Sequence, residues 1–265
     1  MKIFISKLLF TYPVMLWDKF FPYTLNYTKY TDSFISRKSL NTNANLENAP
    51  EVIYLFWTGN NEMSDNRKKG LQTYIEKSDV EVILVTPNNL HDYVLDDYPL
   101  HPAYQHLSLV HKADYLRCYF MYHHGGGYSD VKKCHASWSS AFQNLNSSNK
   151  YALGYGELSS GSLSVTNTSV DKELRKYFFR NIGMGAFIFK PRSPIAKEWF
   201  DELNNVLNSY MKALASHPGN VFGDNIGYPI YWNRILSQIL HPVLLKYADS
   251  LIQDDSIKPE FKNYR

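Results

Sequence analysis

The densest concentration of chemically useful residues is Ala113-Asp114-Tyr115-Leu116-Arg117, followed one short interval later by Gly125-Gly126-Gly127-Tyr128-Ser129-Asp130. A carboxylate and a guanidinium three apart on a helix share one ridge. Three successive glycines let the backbone take positive φ and remove Cβ atoms where a ligand must reach the main chain. The pattern therefore describes an anion cradle with Asp130 at a strand end beside it. It is not a Walker loop, which needs Gly-x-x-x-x-Gly-Lys-Ser/Thr, nor a Gly-x-Gly-x-x-Gly turn opening a helix. Here the glycines close a helix and open a strand. Nine histidines invite a zinc reading, but His123-His124 and Cys134-His135 fit no common zinc spacing.

The elements that must position these residues follow from periodicity. Val52 to Trp57 is an unbroken apolar run ending at Thr58-Gly59-Asn60, Ser64 or Asp65 can cap a helix to about Lys77, and Glu81 to Val85 is a second apolar run closed by Pro87. Strand, helix and strand in so short a span form a βαβ unit, hence a parallel sheet covered by helices, with ligands at the carboxyl ends of the strands. Trp57 to Asn60 occupy such an end. A helix is expected over Pro102–His124, with Leu109, Ala113, Leu116 and Phe120 as its buried stripe and His111, Asp114 and Arg117 as a polar ridge beside it. Tyr128 to Val131 and Met184 to Phe189 read as strands. Ser193 and Pro194 start a long helix with Ile195, Trp199, Leu203 and Leu207 on its inner face. Residues 156–170 read as a mobile loop able to act as a lid, and 217–228 as a Gly/Asn/Asp loop. Ile230 to about Leu251 reads as helix broken at Pro242.

Composition sets the class. The 265 residues, 44% hydrophobic and 15% aromatic, suit a packed globular chain and exclude disorder as the main state. A net charge of +3, with no basic stripe interleaved with aromatics, argues against nucleic acid. Two cysteines make no disulfide framework, so a reducing compartment is the simpler expectation. Residues 1–49 read as an N-terminal extension and 50–265 as the catalytic domain, its C-terminal helical part beginning at about 194. The apolar run Ile3–Trp17 is too short and too closely flanked by charge for a spanning helix, and it lacks the small-residue site of a signal peptide. Lys2, Lys7 and Lys19 around it suit peripheral contact with an anionic leaflet; an ordinary packing segment is the alternative.

Taken together, Asp114, Arg117, Gly125 to Gly127, Tyr128 and Asp130 resemble the sugar transferases of glycosyltransferase family 32 and their relatives in capsule synthesis, whose pattern is Asp-x-x-Arg on a helix and then Tyr-Gly-Gly-x-Tyr-x-Asp-x-Asp. Phe56-Trp57-Thr58-Gly59 and Asn181 to Phe189 extend the resemblance over roughly residues 50–200. It implies an α/β, GT-A fold: a Rossmann-like sugar-nucleotide transferase with a mostly parallel sheet and helices on both faces. It also implies a nucleotide-diphosphate sugar donor, a UDP-sugar first among candidates, and a glycan or lipid-linked acceptor. The expected setting is surface polysaccharide assembly, with a retaining reaction, in the cytoplasm or at the inner face of a bacterial membrane.

Site roles follow from the same resemblance. Trp57 would stack on the nucleobase, with Thr58 and Gly59 closing the pocket; a core tryptophan is the competing reading. Asp114 would accept hydrogen bonds from ribose or sugar and Arg117 would meet phosphate, a plain ion pair being the alternative. Gly126, Gly127 and Tyr128 complete the donor site. Asn181, Asp224 and Asn225 are candidates near the reacting carbon or acceptor. The family's second aspartate is Lys132 here. Three possibilities follow: Asp130 holds Mn²⁺ or Mg²⁺ with help from elsewhere; Lys132, with Lys133 or Arg117, replaces the ion; or Asp130 and Lys132 form an inert pair. The third would make the chain a non-catalytic sugar-nucleotide or glycan binder.

Overall fold

The computed structural model describes residues 11–37 and 46–262. Six strands form one sheet: β1 (Val52–Phe56), β2 (Glu81–Val85), β3 (Gly126–Ser129), β4 (Ala152–Gly156), β5 (Ile182–Phe189) and β6 (Leu251–Gln253), in the order β2-β1-β3-β5-β4-β6. The β1–β2, β1–β3 and β4–β6 pairs are parallel; β5 runs antiparallel to both its neighbours. Helices cover both faces, as the βαβ reading requires, and a short helix, α5 (Asp171–Lys176), lies between β4 and β5 in the chain. On one face Tyr54, Phe56, Tyr128 and Phe187 meet α3 (Leu109–His123), α6 (Pro194–Ser216) and α7 (Ser237–Lys246); on the other Ile53, Leu55 and Ile188 meet α2 (Asp65–Lys77) and α4 (Ser139–Asn146). Strand alternation sorts these residues: even positions of β1 face α3, odd positions face α2.

Several boundaries differ from the sequence expectation. The segment Pro102–His106 is a separate 3₁₀ turn, and α3 begins only at Leu109, where the Ser108 hydroxyl caps the amide of His111. The amides of Leu109 and Val110 donate to the carbonyls of Asn220 and Val221, so the distant 217–228 loop completes this helix start. Pro242 does not break the last helix. It is buried within α7, where packing outweighs the roughly 3 kcal/mol cost of an interior proline. Strand β3 starts at Gly126, two residues earlier than expected.

At the N-terminal side, α1 (Tyr12–Phe20) buries none of its residues and leaves Leu16, Trp17 and Phe20 more than half exposed. It is tied down at one end by Asp18, which pairs with Arg180 at 2.9 Å and accepts from the Tyr23 amide. Residues 3–10 of the apolar run, and the polar stretch 38–45, lie outside the described residues. Among the described residues no helix is long and apolar enough to cross a membrane.

Candidate active site

Strand β3 ends at Ser129, so Asp130 emerges from the carboxyl edge of the parallel half of the sheet. Its amide donates to the Gly185 carbonyl of β5 at 2.9 Å, and alternation turns its side chain to the α3 face that Tyr128 also occupies. There it meets three partners. The Tyr128 hydroxyl donates to Asp130 Oδ1 at 2.6 Å, Arg117 Nη2 lies 3.2 Å from the same oxygen, and Lys132 Nζ donates to Oδ2 at 2.6 Å. Arg117 also reaches Asp114 at 3.5 Å, donates to the Met184 carbonyl and lies over the Tyr128 ring. Two acids and two bases thus close into one neutral network spanning α3, β3 and the turn after it.

Burial sets the protonation. It raises the Asp114 carboxyl above its usual range, and Arg117 and His111 offset this only in part. For Asp130 burial also pushes upward, but Arg117 and Lys132 outweigh it and hold the group below the ordinary carboxylate range. Burial drives the Tyr128 phenol well above its normal value, so it stays a donor to Asp130. The side chain of Asp130 remains 21% exposed and that of Lys132 only 7%, because the Phe261 ring lies 4.3 Å from the ammonium. The C-terminal segment carrying Phe261 is held by a bridge between Lys133 and Glu260.

These residues do not fit a divalent ion. Such ions take several hard oxygen ligands, yet Asp130 Oδ2 is occupied by an ammonium in the place of the second acid. Among the described residues no group of three or more His, Cys, Asp or Glu is placed to hold a metal. Of the three possibilities for Asp130, metal binding is the one the geometry disfavours.

Two expectations need correction. Gly125 and Gly126 do have positive φ, +67° and +88°, but their turn lies at the amino end of β3, opposite Asp130. A Cβ on Gly126 would meet Val52 at 3.0 Å, and one on Gly127 would meet Trp138 at 3.0 Å. The glycines let strand and helix pack and leave no room for an anion. Asp224 and Asn225 hold their own loop: Asp224 accepts from the Asn220 amide side chain, and Asn225 bonds to the Asn220 amide and the Pro218 carbonyl. Asn181 differs from both, being fully buried at the start of β5 with neither side-chain polar atom partnered. A buried unpaired amide is costly, and this one sits on the Asp130 side of the sheet, four residues before Gly185.

Between the carboxyl ends of β1 and β2 and the first turns of α3 lies a cavity of about 160 Å³, lined among others by Thr58, Thr86, Tyr104, Lys112 and Leu116. Thr58 is fixed there by donating to the Leu109 carbonyl at 2.6 Å, and the adjacent Gly59 has no room for a Cβ beside Leu109. Trp57 does not line it. Its indole N–H donates to the Asn61 carbonyl, and alternation sends it away from Thr58. Tyr104 and Lys112 were not singled out from sequence. Both follow from α3 starting at Leu109, which the 102–124 periodicity concealed.

Against known proteins, residues 7–151 match the family described as a glycosyltransferase sugar-binding region containing a DXD motif. No curated protein sequence matches the chain. Among solved structures, the PaToxG glycosyltransferase is similar at 12% identity and a TM-score of 0.38, over 73% of this chain and 69% of that one. The WbbM bifunctional glycosyltransferase in its apo form is similar at 12% identity and a TM-score of 0.42, over 85% of this chain; the likeness spans only 44% of WbbM.

Proposed function

This chain belongs to the glycosyltransferases with a DXD-containing sugar-binding region, and we propose that it transfers a sugar from a nucleotide-diphosphate donor with its own cations, Lys132 and Arg117, neutralising the diphosphate. The observation that carries this is the 2.6 Å contact between Lys132 and Asp130 at the carboxyl edge of β3, in the motif position of the second acid. Cleavage of the bond from sugar to diphosphate leaves negative charge on the leaving group. A positioned ammonium and guanidinium in a partly dry site stabilise that charge as it develops.

Each residue then has a task. Asp130 orients Lys132 and Arg117, Tyr128 fixes Asp130, and Asp114 holds Arg117 from the helix side. The nucleoside occupies the cavity lined by Thr58, Tyr104 and Lys112, and a UDP-sugar is the preferred donor. Admission of the diphosphate moves Phe261 off the Lys132 ammonium. Asn181 offers a free amide toward the sugar. A retaining outcome, a glycan or lipid-linked acceptor and a role in surface polysaccharide assembly complete the reading. The solvent-facing Leu16, Trp17 and Phe20 of α1 support a seat at the inner membrane face.

Hydrolysis of a panel of nucleotide sugars, with and without Mn²⁺, tests this. Turnover of one donor that persists in chelator is expected; no turnover and no binding of any donor would overturn it. The closed Asp130–Lys132 pair favours one second reading, a non-catalytic sugar-nucleotide binder. Donor binding without turnover would identify it.

A further inference from the structure

A second, larger cavity of about 670 Å³ opens between the 161–167 loop and residues 231–238. Its volume is in the range of small-molecule sites. Among the described residues no charged side chain lines it. The walls are Ser, Asn and Gln side chains, the aliphatic Leu163 and Val165, and two exposed aromatic rings, Tyr231 at 74% and Trp232 at 62% exposure. Hydroxyls and amides beside flat aromatic faces match a neutral saccharide, whose C–H faces stack on rings while its hydroxyls exchange hydrogen bonds. A lining without cations is a poor match for phosphate or nucleic acid.

The walls are fixed in advance. Asn233 Nδ2 donates to Ser164 Oγ at 2.9 Å, Ser164 bonds to Ser237, and Gln238 donates to the Val165 carbonyl at 2.8 Å. The aromatic pair is tied to the reaction centre by His111. Its Nε2 lies 3.2 Å and 3.3 Å from the carbonyls of Tyr231 and Trp232 and so carries the proton, while Nδ1 faces the Tyr228 hydroxyl at 2.8 Å. His111 precedes Asp114 and Arg117 on the same ridge of α3, and the six residues from His111 to Arg117, whose guanidinium meets Asp130, rise about 9 Å along the helix axis.

We propose that this cleft binds the acceptor saccharide, with Trp232 as its stacking platform and His111 as the positioning residue that sets the platform relative to Asp130. The acceptor role rests on the glycosyltransferase reading; the saccharide site does not. Saturation-transfer NMR on the full chain, with lactose and the methyl glycosides of glucose, galactose and mannose as probes, tests it, with UDP titrated separately. At least one saccharide should receive saturation. Binding should weaken about tenfold or more in Trp232→Ala and stay within about threefold in Trp232→Phe. Near-ultraviolet circular dichroism checks that both variants are folded. Saturation of none of the probes, or equal binding by Trp232→Ala, overturns the proposal. UDP binding without saccharide binding sinks the cleft alone, whereas saccharide binding without any nucleotide or nucleotide-sugar binding sinks the transferase reading alone.

Discussion

Gly126 and Asp130, at the two ends of β3, are four residues apart and solve opposite problems. At the amino end, Gly125 and Gly126 take positive φ so that the chain can leave α3 and enter the sheet under Phe189 and Pro191, and everything around them is protein. At the carboxyl end, Asp130 gathers Tyr128, Arg117 and Lys132 into a charged network that keeps an edge to solvent. One contiguous motif thus divides into a packing half and a chemical half. What separates them is the direction of the strand, since in a parallel sheet only the carboxyl edge faces the ligand side.

The sharpest way to break this comparison is to strike each end. Asp130→Asn should lower donor turnover by about 100-fold or more, because Lys132 and Arg117 lose their orienting charge, as followed by single-turnover donor hydrolysis. The cations it leaves facing each other should also cost a few kcal/mol of stability. Gly126→Ala should instead cost about 1–3 kcal/mol in denaturant unfolding, from strained φ and the contact with Val52, with nucleotide affinity unchanged at temperatures where the variant is folded. Lost affinity with unchanged stability would restore the glycine turn as the anion cradle.

The ends should also titrate apart. His123 lies at the glycine end, and burial lowers its pKa to about 4. The unfolded chain takes up that proton near pH 6.5 and the folded one does not, so stability should fall as pH drops from about 6.5 to about 4. His123→Phe should flatten this slope in thermal melts by about 1 kcal/mol or more. Asp130 has a depressed folded pKa. Its contribution is therefore present above about pH 4 and is lost only as pH falls below that. The smallest effect is expected at Trp57. Because its indole bonds to Asn61 and faces away from the Thr58 cavity, Trp57→Ala should change nucleotide affinity by less than about threefold in calorimetric titration.

The βαβ start, the Ser193-Pro194 helix and the α3 ridge were legible because burial periodicity and caps are local signals; α2 and α6 carry the expected serine caps. Asp114, Arg117, Tyr128 and Asp130 were legible as a group because helix and strand directions converge on one edge. The role of the glycines was misjudged because sequence shows that a turn can take positive φ but not which end of the strand it occupies. Strands β4 and β6 went unseen: Ala-Leu-Gly-Tyr-Gly and Leu-Ile-Gln are too short and glycine-rich to show a period. His111, Tyr231 and Trp232 could not be joined either, since their contact spans 120 residues and runs through backbone carbonyls.

The most direct test titrates UDP into the full chain by calorimetry in chelator, then in Mn²⁺, for the native sequence and for Lys132→Ala. Binding should be present in chelator, little changed by Mn²⁺, and weakened about tenfold or more by loss of the ammonium. Binding that appears only with Mn²⁺, or that ignores the loss of Lys132, would contradict the claim that this chain's own cations hold the diphosphate.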